Sequence, residues 1–276
     1  MPTPIETISK LLPASFKNPY ERWACDTRWI FVLGPKLKNW WIFVLNSQGL
    51  LARGGLHTFK YRNGLNVLFR ARTSDVLINV EVFGFDCYSD PFLSGASAIR
   101  RCIDLGAQTG AFTLLALSKN KDIEVVCVEA VMENFELLQR NLALNNFTSR
   151  TELHHKAVWS VTGDQVTLYL AEHNTGGHSV SAETTGPVLR TEVVTTISLR
   201  DLVQNKPCDV LKIDIEGAEY EVLLKTDKET LACIANIVGE VHGAQEKRDE
   251  LLEFLRHSGF EVSSQDTTFW ARRIGS

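Results

Sequence analysis

Hydrophobic and polar positions are most regular between Arg101 and Ala130. A short apolar run, Cys102-Ile-Asp-Leu105, stops at Gly106-Ala-Gln-Thr-Gly110. Phe112, Leu114, Leu115 and Leu117 follow at helical spacing, and a second run, Val125-Val-Cys-Val128, closes on Glu129. Short apolar runs bounded by turn residues predict strands of a buried parallel sheet. The spaced leucines predict a helix with one apolar face on that sheet. The stretch therefore reads as strand, glycine turn, helix, strand, with Gly106 and Gly110 letting the backbone turn sharply near a ligand.

Downstream the pattern repeats. A helix is predicted over Met132–Leu144 and ended by Asn145-Asn146. A third strand is predicted over Thr151–Trp159, and Thr162-Gly-Asp164 turns into Gln165–Leu170. Thr191–Ser198 resumes as a strand, Val210–Asp214 is the fourth core strand and Ile237–His242 the fifth. Glu246–His257 is amphipathic, and Phe260–Ser263 with Thr268–Arg272 predicts an antiparallel closing pair. Strands alternating with helices imply a parallel sheet covered on both faces. Residues 171–190 carry His173, His178, Gly176, Gly177, Gly186 and Pro187, and read as a long insertion suited to a lid or binding loop.

Upstream the pattern changes. Four of the eight prolines lie in residues 1–20, a loose lead-in. Trp29-Ile-Phe-Val-Leu33 then recurs as Trp41-Ile-Phe-Val-Leu45 around Gly34-Pro-Lys-Leu-Lys-Asn39, which predicts a β-hairpin. Trp23, Trp29, Trp40 and Trp41 make this region aromatic, either as a satellite core or as a substrate wall or homodimer surface. Asn66–Arg70 reads as another strand, and Thr73-Ser-Asp75 as a helix N-cap before the apolar run Val76–Phe83. The expected organisation is a β-rich N-terminal extension, 1–95, and an α/β domain, 96–276.

The 276 residues can bury a sizeable core. A net charge of −4 without a basic block lacks the footprint of a nucleic-acid binder. No apolar run reaches the ~18 residues of a membrane span, and the N-terminus lacks a signal peptide's pattern. The six cysteines (25, 87, 102, 127, 208 and 233) show no C-x-x-C pairing, which predicts free thiols and a cytoplasmic setting.

The chemistry sits at predicted strand ends. A dinucleotide site wants G-x-G-x-x-G; here the spacing is D-x-G-x-x-x-G, and Asp104 would repel a phosphate. Asp104 suits an ammonium or a hydroxyl instead. Glu129, 19 residues after Gly110, stands where an acid binds ribose hydroxyls. S-adenosylmethionine offers an amino acid and a ribose without a phosphate. A nicotinamide cofactor, or no ligand at all, remain the alternatives. Asp214 with Glu216, and Glu240 with His242, are each two apart and would point one way from their strands. Glu216 and Glu219 also read as helix N-terminal acids, and His242 as a rim histidine.

Asp104-Leu-Gly-Ala-Gln-Thr-Gly110, Val128-Glu129, Lys156-Ala-Val158, Lys212-Ile-Asp-Ile-Glu-Gly-Ala-Glu219 and Glu240-Val-His242 occur in the order seen in FkbM-family methyltransferases, which the chain resembles over residues 66–242. Arg72-Thr-Ser-Asp75 and Tyr88 look like that family's upstream segment. Gln108, commonly Asn, and Ala130, commonly Pro, depart from its pattern. The resemblance implies a class I, Rossmann-like sheet, mostly parallel with an antiparallel terminal strand, and S-adenosyl-L-methionine as cofactor. It implies that Asp104, Gly106, Ala107, Gln108, Gly110 and Thr113 hold the methionine part, Glu129 and Ala130 the ribose, and Ala157 and Val158 the adenine, with Asp214 beneath the sulfonium. Glu216, Glu240 and His242 would face the acceptor, with His242 the general base of O-methylation of a small molecule. N-methylation, an oxidoreductase and a non-catalytic binding module are the rival functions. A divalent ion on Asp214, Glu240 and His242 is possible, but a metal-free base is the preferred reading.

Overall fold

The computed structural model of the protein describes residues 27–88, 98–171 and 188–275. The first of these segments corrects the expected hairpin. Ile30–Leu33 (α1) and Trp41–Ser47 (α2) are helices, joined through a 3₁₀ turn at Gly34–Lys36. Leu33 and Phe43 are buried, whereas Phe31, Trp40 and Trp41 are exposed. A strand pair does exist further on: Leu56–Lys60 (β1) runs antiparallel to Asn66–Arg70 (β2). Phe59 and Phe69 stack across it at 3.9 Å between ring centres. Ser74–Asn79 (α3) begins where the sequence indicates, with the Thr73 hydroxyl accepting from the Asp75 N–H at 3.3 Å. It continues into a π-helical turn, Val80–Gly84.

The α/β unit follows the predicted order. Arg101–Leu105 (β3), Ala111–Lys119 (α4), Glu124–Glu129 (β4) and Met132–Leu144 (α5) come first. The predicted third strand is broken at Lys156 into Thr151–His155 (β5) and Ala157–Trp159 (β6). β6 leaves the main sheet and joins Gln165–Ala171 (β7) and Val188–Ser198 (β8) in a small side sheet. Residues 172–187, with the expected lid and its histidines, lie outside the described residues. Leu199–Val203 (α6), Cys208–Ile213 (β9), Glu219–Leu223 (α7), Lys228–Ala232 (α8), Ile234–Glu240 (β10), Gln245–His257 (α9), Phe260–Gln265 (β11) and Thr268–Arg273 (β12) complete the chain.

The main sheet has the order β11-β12-β10-β9-β3-β4-β5. The strands from β10 to β5 pair in parallel, and β12 lies antiparallel to β10. Its strands are apolar on both faces because both are covered. Cys102, Val125, Cys127 and Val210 face one core with α4, α5 and the N-terminal segment. Ile103, Leu105, Val126, Val128 and Leu211 face a second core with α6, α8 and α9. Helix α4 is buried all round from Ala111 to Leu117, not on one face as its spacing suggests, because the N-terminal segment packs on its outer side. Residues 33–88 thus share a core with the sheet. Cys102, Cys127 and Cys208 are buried free thiols, and Cys87 and Cys233 are free and half-buried.

Helix α5 carries the N-terminal segment by mimicking a strand edge. The amide of Asn141 accepts from the Leu68 N–H at 2.7 Å and donates to the Leu68 carbonyl at 3.1 Å. Asn145, one turn on, does the same to Asn66, at 2.8 and 2.7 Å. Asn141 also donates to the Thr109 carbonyl at 2.8 Å, so one buried side chain ties β2 to the glycine turn. Replacing it with Leu orphans backbone groups that water cannot reach, at about 1–3 kcal/mol each. Asn141→Leu is expected to lower unfolding stability by about 2–4 kcal/mol, read from urea denaturation, with Asn145→Ala costing less because its site is partly exposed.

Candidate active site

After β3 the chain steps outward to β4 and β5, then returns to lay β9 on the other side of β3. The crevice beyond the carboxyl ends of β3 and β9 is therefore the switch point where open α/β sheets bind ligands. Gly106, at φ +75°, turns the chain there so tightly that a Cβ would lie 1.9 Å from the Asp214 carbonyl oxygen. No other residue fits. Gln108 and Glu216 hold left-handed backbone although neither is glycine, at φ +50° and +53°, and both line the crevice. Such strain is retained where the surroundings fix it, commonly at functional sites.

A cavity of about 230 Å³ fills the crevice. At one end it touches Gly106, Ala107, Gln108, Glu129, Ala130, Ala157 and Val158. At the other it touches Asp214, Glu216, Glu240, Tyr88 and Glu81. Ten residues expected from the sequence to serve the site therefore share one space. Four others do not line it. Gly110 turns the chain into α4, where a side chain would meet Leu138. Asp104 and Thr113 are fully buried beneath the glycine turn and bonded to each other at 2.7 Å. Their contribution is indirect: Lys212 Nζ sits 3.4 Å from the second Asp104 oxygen, donates to the Gly106 carbonyl at 2.7 Å and lies 4.0 Å from Asp214. Burial would push the Lys212 ammonium down, but the Asp104 and Asp214 carboxylates outweigh it and hold it above its ordinary value. A permanent cation thus stands under the turn.

His242, the fourth, follows β10 rather than ending it. The convergence expected from strand alternation is produced instead by turns. Its Nδ1 lies 3.3 Å from the buried carboxylate of Glu219, which also accepts from the Ile215 and Gly217 N–H groups. Its Nε2 lies 3.6 Å from both Glu216 and Glu240. Burial would lower its pKa, but the Glu219 bond and the surrounding carboxylates raise it to about 10. The ring is thus held among carboxylates at the rim of the cavity without lining it. Glu216 and Glu240 are both raised, chiefly by burial and then by Asp214. Tyr88 donates to Glu240 at 3.2 Å.

Glu129 is expected at the ribose, and it lines the cavity. Its carboxylate also organises the turn, accepting from the Gln108 and Val131 N–H groups at 2.8 and 2.9 Å and from Asn134 at 3.4 Å. Gln108, the departure from the family pattern, reaches away from the cavity to donate to Asp75 at 2.8 Å. Arg70 binds the same Asp75 with two guanidinium nitrogens at 2.8 Å, and reaches Asn134 at 2.7 Å. Glu129, Gln108, Asp75, Arg70 and Asn134 thereby close a ring.

Glu81, Lys212, Asp75 and Asn134 were not assigned to the site from the sequence. Lys212 had a signal, a lysine two positions before Asp214 on a strand otherwise apolar. Glu81 had a weaker one, a lone acid within the apolar run 76–83. Asp75 and Asn134 act across long separations, with no local mark. The expected aromatic wall is not formed by tryptophans: Trp29, Trp40 and Trp41 do not line the cavity, and Trp23 lies outside the described residues. Helix α3 and the π turn supply that wall, through Ser74, Leu77, Ile78, Glu81 and Val82, with Tyr88.

The fold and its crevice define a class I methyltransferase, an enzyme of S-adenosylmethionine-dependent methyl transfer. Residues 104–262 match the family described as the Methyltransferase FkbM domain, and the chain belongs to that family. It is 26% identical over 227 residues to the methyltransferase sdnD of Sordaria araneosa, a match covering 69% of this chain and 83% of that protein. A 60-residue stretch is 45% identical to the AMB antimetabolite synthetase AmbE of Pseudomonas aeruginosa, covering 20% of this chain and 3% of that protein. Among solved structures, a SAM-dependent methyltransferase from Agrobacterium tumefaciens aligns at TM-score 0.49 and 11% identity, over 82% of this chain and 72% of that one. The METTL16 methyltransferase domain aligns at 0.45 and 14%, over 78% and 84%. Among the described residues no helix is long and apolar enough to cross a membrane.

Burial would raise the Asp75 carboxyl, but the Arg70 charge and hydrogen bonds, with Gln108, hold it below its ordinary value. A depressed folded-state pKa gives stability that is present above the unfolded value of ~3.9 and lost as pH falls through the folded one. Asp75→Asn is therefore expected to cost about 3–5 kcal/mol at neutral pH, since it strands a buried guanidinium, and to flatten the loss of stability below pH ~4. Denaturation series from pH 7 to 2.5 on both proteins check this.

Proposed function

We propose that this methyltransferase acts on a hydroxyl group of a small molecule, an amino-acid derivative, sugar or natural product. The observation that carries the reading is the continuity of the cavity. One end offers a backbone turn, Glu129 and the apolar pair Ala157 and Val158, which suit the amino acid, ribose and adenine of the cofactor. The other offers carboxylates and a tyrosine on the far side of Asp214, where an acceptor meets the methyl group. The short likeness to an enzyme named for antimetabolite synthesis is in keeping with a small acceptor.

Methyl transfer is an in-line displacement, and most of its rate comes from aligning acceptor, methyl and sulfur. The acceptor oxygen forms a bond to the methyl carbon while the carbon–sulfur bond breaks. Its electrons return to sulfur, leaving neutral S-adenosylhomocysteine, and the hydroxyl proton leaves to a carboxylate. Glu216 and Glu240 line the cavity and His242 does not, so either glutamate is the nearer proton acceptor.

Calorimetric titration is expected to show binding of S-adenosylhomocysteine and not of NAD. Glu129→Ala should weaken that binding about ten- to a hundredfold, because it removes a hydroxyl partner and frees two N–H groups of the turn. Mass spectrometry of small-molecule acceptor pools incubated with methyl-labelled cofactor then identifies the product. Label on nitrogen in every product, or label carried only by RNA or protein, would replace this reading.

A further inference from the structure

The acceptor end of the cavity gathers more acidic groups than basic ones. Glu81, Asp214, Glu216 and Glu240 converge there, with Glu219 behind them, against Lys212 and His242. Glu81 enters from the π turn on the opposite wall, and its carboxylate has no hydrogen-bond or ion-pair partner among the described residues. Burial and three facing carboxylates push its pKa up to about 8.

The spacing at His242 bears on what completes this cluster. An imidazolium shared between two carboxylates forms charge-assisted hydrogen bonds of ~2.7–2.9 Å. Nε2 instead lies 3.6 Å from both Glu216 and Glu240, beyond hydrogen-bond reach. Ligands at ~2.1 Å from one ion are ~3.0–3.4 Å apart when adjacent, so 3.6 Å is close to the edge of a coordination shell. One ligand atom each from Asp214, Glu240 and His242 lie within 4.8 Å of one another, against ~4.2 Å for opposite ligands of a six-coordinate ion. Small side-chain rotations close the difference. The outer contacts are those a metal-binding histidine uses: Nδ1 is held by the buried Glu219, which fixes the ring and turns Nε2 inward. Tyr88 holds one oxygen of Glu240 and leaves the other free to ligate.

We propose that Asp214, Glu240 and Nε2 of His242, which releases its proton to solvent as the ion binds, hold one divalent cation of the Mg²⁺ or Mn²⁺ class, which takes the acceptor hydroxyl as a further ligand. The inference rests on the reading of this end of the cavity as the acceptor site. Two carboxylates to one imidazole, with no thiolate, favour ions that prefer oxygen ligands over the soft ions that thiolates hold. The ion fixes the acceptor oxygen and lowers the pKa of its proton, which passes to Glu216, while the oxygen takes the methyl group as before.

The test uses the full chain and Mn²⁺ alone, following the free-ion signal by electron paramagnetic resonance. One saturable Mn²⁺ per chain is expected, competed by Mg²⁺. Glu240→Gln and Asp214→Asn are near-isosteric, and each should weaken it by about tenfold or more, with thermal melts showing that both proteins fold. His242→Asn should do the same. Binding that never saturates, or that is unchanged in these variants, overturns the proposal. S-adenosylhomocysteine binding is measured without metal in parallel. If the cofactor binds and Mn²⁺ does not, the metal site falls and the methyltransferase reading stands. If Mn²⁺ binds and the cofactor does not, the reading of the crevice falls separately.

Discussion

The carboxylate of Asp75 is the constraint on which the site depends. It is fully buried and accepts four hydrogen bonds, from the N–H and two guanidinium nitrogens of Arg70 and from the amide of Gln108. A buried charge is tolerable only when so paired. The pairing has a geometric consequence, because Arg70 belongs to β2 and Gln108 to the glycine turn. The N-terminal segment is thereby locked to the turn that approaches the cofactor. Gln108 stands at φ +50° while its carbonyl oxygen accepts from the Thr109 backbone and hydroxyl. The glutamine side chain is long enough to span from the turn to Asp75.

With the turn fixed, charge is distributed by depth. Lys212 stands below, bonded to the Gly106 carbonyl and facing Asp104. The acids of the acceptor end stand above it, on the loop after β9, at the end of β10 and on the π turn. The parallel strands of β3 and β9 bring Asp104 level with Lys212, so the cation is placed by sheet register and not by a loop. Gly239 completes this closeness, since a Cβ there would lie 1.9 Å from the Ile213 carbonyl oxygen. The crevice is therefore a rigid floor with acids arranged along one rim.

What could be read from the sequence was what is local. The run from Arg101 to Ala130 contains a strand, a turn and a helix within thirty residues, and its periods are unambiguous. Met132–Leu144 emerged as read because thirteen residues suffice to display the helical period. The two Trp-Ile-Phe-Val-Leu runs failed for the opposite reason. Five apolar residues fit a strand or one helical turn equally well, and β-branched and aromatic content argued for the strand. Tertiary burial of Leu33 and Phe43 decided for helix. The strand expected over 151–159 broke at Lys156, where the backbone N–H turns to the Glu129 carbonyl and β6 departs to a different sheet. In the site the same division holds. Glu129, Asp214, Glu216 and Glu240 lie at strand ends and were legible. Glu81 and Asp75 enter from a segment more than a hundred residues away from β9, and only the packed structure brings them in.

The electrostatics of methyl transfer give this arrangement its logic. The cofactor's sulfonium is a full cation, and the reaction removes its charge. Carboxylates beside it stabilise the bound cofactor more than the transition state, in which that charge is already dispersing. By the criterion that only interactions stronger in the transition state accelerate a reaction, an uncompensated ring of acids opposes catalysis. It also repels an oxygen nucleophile as that oxygen loses its proton. A cation among the acids reverses both effects. It offsets the excess binding of the sulfonium and stabilises negative charge developing on the acceptor. Lys212 cannot do this alone, because it is engaged beneath the turn with Asp104 and the Gly106 carbonyl. The position that can is the space between Asp214, Glu240 and His242, where the acids converge and the histidine ring is held by Glu219 with its second nitrogen turned toward them.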